Sequence, residues 1–312
     1  MMTYTDRHFR YLLRLISPNV MLYTEMISTG ALLHGDAEKY LTFDPLEHPL
    51  AVQLGGNNPD YLARCAVLAE SGGFDEINLN AGCPSGRVSN AGFGACLLAR
   101  PGLAADCIAA MKDSTRIPVT IKMRTGIDDM DSFEYLARFI EQVSAAGCDT
   151  FIIHARKAWL QGLSPRQNRS IPPLQYQRVY KIKQEFPHLQ IIINGGINDL
   201  ESIIEQYRYV DGVMIGRMAY NNPYQLMHID NALFRNSPLP KSRRSILVKY
   251  LQYMERELSG GTRFSHMARH LLSLFQGVAG ARAYRRYLSE NMHRTDTGVE
   301  IINEAIKRVQ AA

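Results

Sequence analysis

Seven short apolar runs, separated by longer helical patterns, constrain the fold of this 312-residue chain more than any other feature. Near-continuous apolar runs of this length are typical of strands that are buried on both faces of a parallel sheet. The runs cover Val20–Met26, Leu50–Leu54, Glu76–Leu79, Pro118–Met123, Thr150–His154, Gln190–Asn194 and Asp211–Ile215. The helical patterns between them include Tyr61–Glu70, Leu103–Lys112, Ser132–Ala146, Leu174–Glu185 and Leu200–Gln206. This alternation predicts a parallel sheet flanked by helices.

A closed parallel barrel of this α/β class has eight strands, one more than the apolar runs supply. The first ten residues begin like the loop and helix that would follow a strand, with Thr5 or Asp6 as the helix cap. We therefore expect a TIM (β/α)8-type barrel that lacks its first strand in this chain.

The strand pattern ends at Asn222-Pro223, and Pro238–Lys241 has the composition of a linker. Only helical patterns follow, at Ser245–Leu258, Phe264–Phe275, Ala279–Glu290 and Gly298–Gln310. The sequence thus predicts two domains, a barrel over residues 1–235 and an all-α helical bundle over residues 236–312.

Charge is distributed unevenly between these two parts. Residues 231–312 carry 14 Lys and Arg against 6 Asp and Glu, whereas the formal net charge of the whole chain is only +5. A basic helical domain beside a weakly acidic body indicates a polyanionic partner for that domain. An ordinary solvated helix surface would explain the same charge equally well.

The cysteines and the N-terminus indicate a cytoplasmic protein without a membrane partner. The five cysteines have no regular spacing and no CxxC pair, which favours free thiols over disulfides or a metal site. The N-terminus lacks the pattern of a signal peptide, and no run of about 18 apolar residues occurs.

Cys83 is the cysteine whose surroundings favour chemistry. It lies between Gly82 and Pro84, directly after a predicted strand, so it should lie at the carboxyl end of the sheet where barrels carry out catalysis. Free cysteines are otherwise mostly small buried hydrophobes. That structural interpretation fits Cys65, Cys107 and Cys148, and also Cys96, which lies where a packed helix begins.

Polar residues end five of the predicted strands, and a ligand site at that rim explains them better than chance does. They are Gln53, Asn80, Lys122, His154 and Asn194. Glycines follow the last two strands in Asn194-Gly195-Gly196 and Gly216-Arg217, where backbone N–H groups and a guanidinium could hold a phosphate. Neither a GxGxxG nor a GxxxxGK[ST] motif is present. Lys122 could stabilise a reduced flavin or form a Schiff base.

Six short motifs in this order resemble the tRNA-dihydrouridine synthase family, and the resemblance covers nearly the whole chain. The motifs are Gln-Leu-Gly-Gly, Asn-x-Gly-Cys-Pro, Lys-Met-Arg, His-Ala-Arg, Asn-Gly-Gly-Ile and Gly-Arg. Three further stretches are similar to the bacterial subfamily A, which modifies positions 20 and 20a of the D-loop, namely Leu22–Met26, Glu47–Pro49 and Asn168–Leu174.

This resemblance implies an FMN-binding barrel that reduces the C5=C6 bond of uridine, with NADPH as the reductant. It also implies a helical tRNA-binding domain and no obligate protein partner. The residues that match FMN-binding positions are Met1, Met2, Gln53, Lys122, His154, Asn194, Gly195, Gly196, Gly216 and Arg217. The residues that match nucleotide- or tRNA-contacting positions are Asn80, Arg156, Arg166, Arg169, Arg282 and Arg285.

The family's reaction implies that hydride goes from the reduced flavin to C6 of uridine, while Cys83 protonates C5. Three other functions fit parts of the pattern. The first is an FMN-dependent dehydrogenase of free pyrimidines that is similar to dihydroorotate dehydrogenase, and the second is an aldolase that uses a Lys122 Schiff base. The third is an RNA-binding chaperone whose barrel no longer catalyses a reaction.

Overall fold

The structure, a computed structural model, describes residues 1–234, 241–294 and 298–309. The chain divides into two compact units. The first, here called the barrel unit, comprises Met1–Met2, Tyr23–Thr42 and Pro49–Ile215. The second, here called the helical unit, comprises Thr3–Leu22, Phe43–His48 and the described residues from Gly216 onward. The predicted boundary between residues 235 and 236 and most of the predicted linker lie outside the described residues.

The barrel unit is built on a seven-stranded sheet in which every strand lies beside its neighbour in sequence. The pairs from the second to the seventh strand are parallel. The strands are β1 Leu22–Ser28, β2 Leu50–Gly55, β3 Glu76–Ala81, β4 Val119–Arg124, β5 Thr150–His154, β6 Gln190–Asn194 and β7 Gly212–Met214. All seven predicted strands are present, and the TIM-type barrel class is confirmed.

Helices occupy the connections between the strands and most of the helical unit. In chain order they are α1 Arg7–Ile16, α2 Thr29–His34, α3 Ala37–Leu41, α4 Pro59–Ser71, α5 Gly86–Asn90, α6 Pro101–Ser114, α7 Phe133–Ala145, α8 Tyr176–Glu185, α9 Leu200–Gln206, α10 Arg217–Asn221, α11 Gln225–Leu233, α12 Arg243–Ser259, α13 Phe264–Ala268, α14 Ala281–Asn291 and α15 Glu300–Ile306. Short 3-10 helices lie at Pro45–Glu47, Gly94–Ala99, Gln167–Arg169 and Arg269–Ser273. No helix in the described part of the chain is long and apolar enough to cross a membrane.

Local sequence explains where these helices begin. The α4 helix starts with Asn58 as its cap, whose side chain accepts from the Tyr61 N–H, and with Pro59 as its first residue. Asp6 caps α1 by accepting from the Phe9 N–H at 3.0 Å, as the sequence predicts. In both cases a side-chain oxygen satisfies a backbone donor that the helix itself cannot pair.

Strand β3 shows how the barrel unit separates its two faces. Ile77 and Leu79 are fully buried apolar residues, and they alternate with Glu76, Asn78 and Asn80. Successive side chains of a strand point to opposite faces, so the apolar and polar residues of β3 lie on different faces of the sheet. The polar face carries the candidate site described below.

In the helical unit, α1 packs with the helices that follow the sheet. The buried Tyr250 hydroxyl on α12 donates to the His8 carbonyl at 3.1 Å, and the Tyr253 hydroxyl lies 2.6 Å from His8 Nδ1. Burial lowers the pKa of His8 to about 4. Two tyrosine hydroxyls of α12 therefore form hydrogen bonds with His8 on α1 in the core of this unit.

The predicted helix over Phe264–Phe275 is wrong in its second half, because α13 ends at Ala268 and continues as a 3-10 turn. Arg269 and His270 on that turn both bind the Asp6 carboxylate, with His270 Nε2 2.9 Å from Asp6 Oδ1. A partner far away in sequence thus fixes this turn, and local helix propensity gives no sign of it.

A buried ion pair joins α1 to the 3-10 helix Pro45–Glu47 of the same unit. Arg10 Nε donates to Glu47 Oε2 at 2.5 Å, and both side chains are almost completely buried. Burial raises the pKa of Glu47, which the Arg10 charge opposes. Arg14 donates to the Glu47 carbonyl from the next turn of α1, at 2.9 and 3.2 Å.

We predict that Arg10→Met destabilises the protein by about 3–5 kcal/mol, because it leaves the Glu47 carboxylate buried without its cation. Arg286→Met is the matched control, since Arg286 pairs with Glu290 at 2.9 Å on an exposed surface. This control should change the free energy of unfolding by less than about 1 kcal/mol. Urea unfolding measures both, and equal losses for the two variants would contradict the prediction.

Candidate active site

The sheet brings five predicted site residues to its carboxyl edge. Gln53 lies on β2, Asn80 on β3, Lys122 on β4, His154 on β5 and Asn194 on β6. The strand register pairs Asn80 with Lys122 and His154 with Asn194. Residues that are paired in this way point to the same face, so their polar groups line one surface. That edge is where barrels of this class bind their ligands.

The loop that carries Cys83 is fixed by the side chain at the end of β3. Asn80 Oδ1 accepts from the backbone N–H groups of Gly82 and Cys83 at 3.1 and 2.9 Å. The Cys83 carbonyl accepts from the Ala95 N–H at 2.9 Å. Gly94 permits this approach because it has a positive φ of 65°, and a Cβ there would lie 2.7 Å from the Cys83 carbonyl oxygen.

The Cys83 thiol is half-buried, and its sulfur lies 3.5 Å from the Ser85 hydroxyl. Ser85 precedes α5 but does not use its side chain to cap that helix. Cys65, Cys107 and Cys148 are buried, as predicted. Cys96 is half-buried on the 3-10 helix Gly94–Ala99, where its thiol points toward the Ser89 carbonyl at 3.7 Å.

Two cations on β4 lie close enough to Cys83 to interact with it electrostatically. Burial lowers the pKa of Lys122 to about 8 and the pKa of Arg124 to about 10. Within residues 1–234, 241–294 and 298–309, neither side chain forms an ion pair with a carboxylate. Buried cations without anionic partners are costly, which is typical of a site built to receive a negatively charged ligand.

Arg124 also joins two loops of the barrel unit, the one after β3 and the one between β5 and α8. Its guanidinium donates to the carbonyls of Gly82 at 2.9 Å, Lys157 at 3.1 Å and Asn168 at 3.0 Å. Asn168 in turn accepts from the Trp159 N–H at 2.8 Å and donates to the Trp159 carbonyl at 2.9 Å. Sequence analysis assigned no role to Arg124, although it belongs to the Lys-Met-Arg motif.

The two glycines after β6 allow the turn to pack directly against the His154 ring. Gly195 and Gly196 have positive φ values of 112° and 75°. A Cβ on Gly195 would lie 2.8 Å from His154 Nε2, and one on Gly196 would lie 2.9 Å from the Tyr176 hydroxyl. The Tyr176 hydroxyl donates to the Gly195 carbonyl at 2.6 Å, which holds the turn in place. A side-chain-free turn of this kind fits a phosphate group.

The remaining predicted site residues lie in several places. Arg156 donates to the Ser170 and Pro172 carbonyls, so it supports the same loop that carries the exposed Arg166 and Arg169. Met1 and Met2 are exposed in the barrel unit.

In the helical unit, Gly216 directly precedes α10, whose first residue is the exposed Arg217. Arg282 and Arg285 lie on α14, where Arg285 donates to Gln276 Oε1 at 2.6 Å.

Taken together, the sheet, the Cys83 loop held by Asn80, two cations without a carboxylate partner in the described residues and the glycine turn define a barrel enzyme with a polar rim that suits a phosphate-bearing ligand. In the described residues, no cluster of His, Cys, Asp and Glu could hold a metal ion. The family model for dihydrouridine synthase matches residues 1–311, and the chain belongs to this family.

Several curated relatives are similar over 99% of this chain, and each carries the name tRNA-dihydrouridine(20/20a) synthase. The protein from Shewanella oneidensis is 55% identical over 310 residues, which cover 92% of its length. The Escherichia coli K12 protein is 54% identical with 90% of its length covered, and the Vibrio cholerae protein is 52% identical with 94% covered.

A solved structure of 2-naphthoyl-CoA reductase in complex with 2-naphthoyl-CoA shares the fold. It matches with a TM-score of 0.56 and 10% sequence identity, over 73% of this chain and 47% of that one. At this identity the likeness concerns the fold alone.

We predict that Lys122→Met stabilises the ligand-free protein at pH 7 by about 3 kcal/mol, because a pKa lowered from 10.5 to about 8 reflects the cost of burying the charge. Below pH 8 the lysine is charged in both states, so the folded state bears the full cost. Between pH 8 and pH 10.5 the unfolded state binds more protons, so the stability of the unsubstituted protein rises with pH. The advantage of Lys122→Met should therefore shrink through this window.

Urea unfolding at pH 7 and pH 9.5 measures this difference, with the exposed Lys39→Met as the control. An advantage of Lys122→Met that does not change with pH would contradict the assignment of the cost to the lysine charge.

Proposed function

We propose that this chain is a tRNA-dihydrouridine(20/20a) synthase, an FMN-dependent enzyme that reduces the C5=C6 bond of uridine in the D-loop of tRNA. The observation that carries the proposal is Cys83, a half-buried thiol whose loop is held by Asn80 at the edge of the polar rim. Relatives that are more than half identical and bear this name support it.

The residues of the rim fit FMN. Gln53 and Lys122 offer an amide and an ammonium near the strand ends, where they would face the polar edge of the flavin. His154, Gly195 and Gly196 would hold the phosphate, since a turn without side chains lets its backbone N–H groups approach a phosphate closely. Gly216 and Arg217, at the start of α10 in the helical unit, remain predicted phosphate ligands from the family motif alone. Bound FMN, reloaded by NADPH, supplies the hydride that C6 of uridine needs.

Cys83 completes the reduction by protonating C5. Its S–H bond breaks as a C5–H bond forms, and water then returns a proton to the sulfur. Asn80 and Arg124 keep the thiol in place, because the first accepts from the Cys83 N–H and the second donates to the Gly82 carbonyl. Holding a donor at a fixed position is what makes such a proton transfer efficient.

The uridine must leave the folded tRNA to reach Cys83, so basic residues must hold the RNA backbone around it. On the barrel unit, the exposed Arg166 and Arg169 are the candidates for this role. On the helical unit they are Arg282 and Arg285 of α14. We place the enzyme in the cytoplasm with tRNA as its partner. An FMN enzyme acting on free pyrimidines would have no use for these arginines.

We predict that Cys83→Ala lowers kcat on tRNA lacking dihydrouridine by about 10²–10⁴-fold, the usual contribution of a general acid. Cys96→Ala is the matched control and should keep full activity, because its thiol points toward the Ser89 carbonyl within the same loop. Dihydrouridine is quantified by mass spectrometry of nuclease-digested tRNA. Full activity of Cys83→Ala would remove the proposed proton donor.

We predict that replacing both Arg282 and Arg285 with Gln weakens tRNA binding and lowers its salt dependence. If each cation neutralises one phosphate, the slope of log Kd against log salt concentration should fall by about 2. Arg286→Gln on the same helix should have a smaller effect, since Arg286 already pairs with Glu290. An unchanged slope in the double variant would exclude α14 from the tRNA interface.

A further inference from the structure

The polar face of the barrel unit contains one continuous chain of hydrogen bonds that starts at Glu76. The Thr120 hydroxyl donates to Glu76 Oε1 at 2.7 Å, and Asn78 Nδ2 donates to the Thr120 oxygen at 2.8 Å. Gln53 Nε2 donates to Asn78 Oδ1 at 2.8 Å, and Asn80 Nδ2 donates to Gln53 Oε1 at 2.8 Å. The chain ends where Asn80 Oδ1 accepts from the N–H groups that precede the Cys83 side chain. We call it the Glu76 chain.

In every hydrogen bond of the Glu76 chain, the donor lies on the Cys83 side and the acceptor lies on the Glu76 side. A carboxylate such as Glu76 can only accept, and the backbone N–H groups of Gly82 and Cys83 can only donate. Between these two ends, reversing one amide would place two donors or two acceptors against each other. Each amide therefore has a single orientation that satisfies both of its neighbours.

Burying the Glu76 carboxylate costs free energy. Its carboxylate is buried, and no ion pair involves it among the residues that the structure describes. Burial raises the pKa of Glu76, an effect that the Thr120 and Tyr23 hydroxyls oppose by donating to Oε1. A buried acid without a cation gives little net stability, so stability does not explain why a carboxylate lies at this position.

We propose that Glu76 is a positioning residue that fixes the donor-to-acceptor direction of this chain. It thereby fixes the orientation of the Gln53 and Asn80 side chains and the position of the Cys83 loop. Glu76 touches neither the cofactor rim nor the Cys83 loop itself and acts through Thr120 and Asn78. Its effect on turnover rests on the proposed function, because it is the Cys83 proton transfer that a displaced loop would slow.

The test compares three variants of the flavin-loaded enzyme, Glu76→Leu, Glu76→Gln and Thr120→Val. Glu76→Leu removes the acceptor at the end of the chain, and Thr120→Val removes the hydroxyl that links Glu76 to Asn78. Both should lower kcat about tenfold to a hundredfold and leave KM for tRNA unchanged, since a small displacement of a catalytic group costs this much. Glu76→Gln keeps an oxygen that can accept from both hydroxyls, so it should restore kcat.

The second readout is the rate at which iodoacetamide alkylates Cys83, followed by mass spectrometry, and it requires no tRNA. Glu76→Leu and Thr120→Val should raise this rate several-fold because the loop loses its anchor. The control is Gln206→Leu, which removes another buried amide that accepts from the Tyr180 hydroxyl at 2.8 Å on α9. It should lower the melting temperature without changing kcat or alkylation.

Unchanged kcat and alkylation in Thr120→Val would overturn the proposal, even if Glu76→Leu fails to fold. A Glu76→Gln variant with a kcat as low as that of Thr120→Val would also overturn it. The charge of Glu76, and not the direction of the hydrogen bonds, would then determine kcat. If the unsubstituted enzyme makes no dihydrouridine, the proposed function fails, whereas the alkylation rates still decide the role of Glu76.

Discussion

The parallel register of β3 against β4 is the constraint on which the site depends, because it places Asn80 beside Lys122 and Asn78 beside Thr120. A shift of one residue would turn the polar face of β3 into the apolar layer and bury Ile77 and Leu79 against polar groups. A like shift of β3 against β2 would separate the Asn80 amide from Gln53, to which it donates at 2.8 Å. The burial that stabilises the sheet therefore also sets the geometry of the reactive loop.

The barrel unit contains two buried cations on β4, at the face of the sheet that carries the candidate site. Lys122 and Arg124 on β4 have lowered pKa values because they are buried without carboxylate partners in the described chain. In the helical unit the buried Arg10 has its carboxylate at 2.5 Å. Arg10 is thus paired with a buried carboxylate, whereas Lys122 and Arg124 are not paired with any carboxylate of the described residues. The phosphate-bearing ligand proposed above would supply the negative charge that the described carboxylates do not bring to Lys122 and Arg124.

Much of this arrangement could be predicted from the sequence, because its signals are local. Near-continuous apolar runs marked all seven strands, and the polar residues Gln53, Lys122 and His154 at their ends marked the rim. Glycine next to Asn194 marked the turn that has no room for a Cβ. These features depend on residues that are adjacent in the chain, so a pattern of two to six residues is enough to reveal them.

The parts that could not be predicted depend on partners far apart in sequence. Arg124 holds the Gly82 and Asn168 carbonyls, more than 40 positions away on either side, and nothing in its local sequence names those partners. The Glu76 chain is of the same kind, since it appears only when β2, β3 and β4 are placed side by side in register. Short motifs identify the atoms that react, whereas the sheet determines which buried groups hold them. In the proposed mechanism, catalysis therefore depends on residues that extend from Cys83 after the carboxyl end of β3 to Glu76 at its other end.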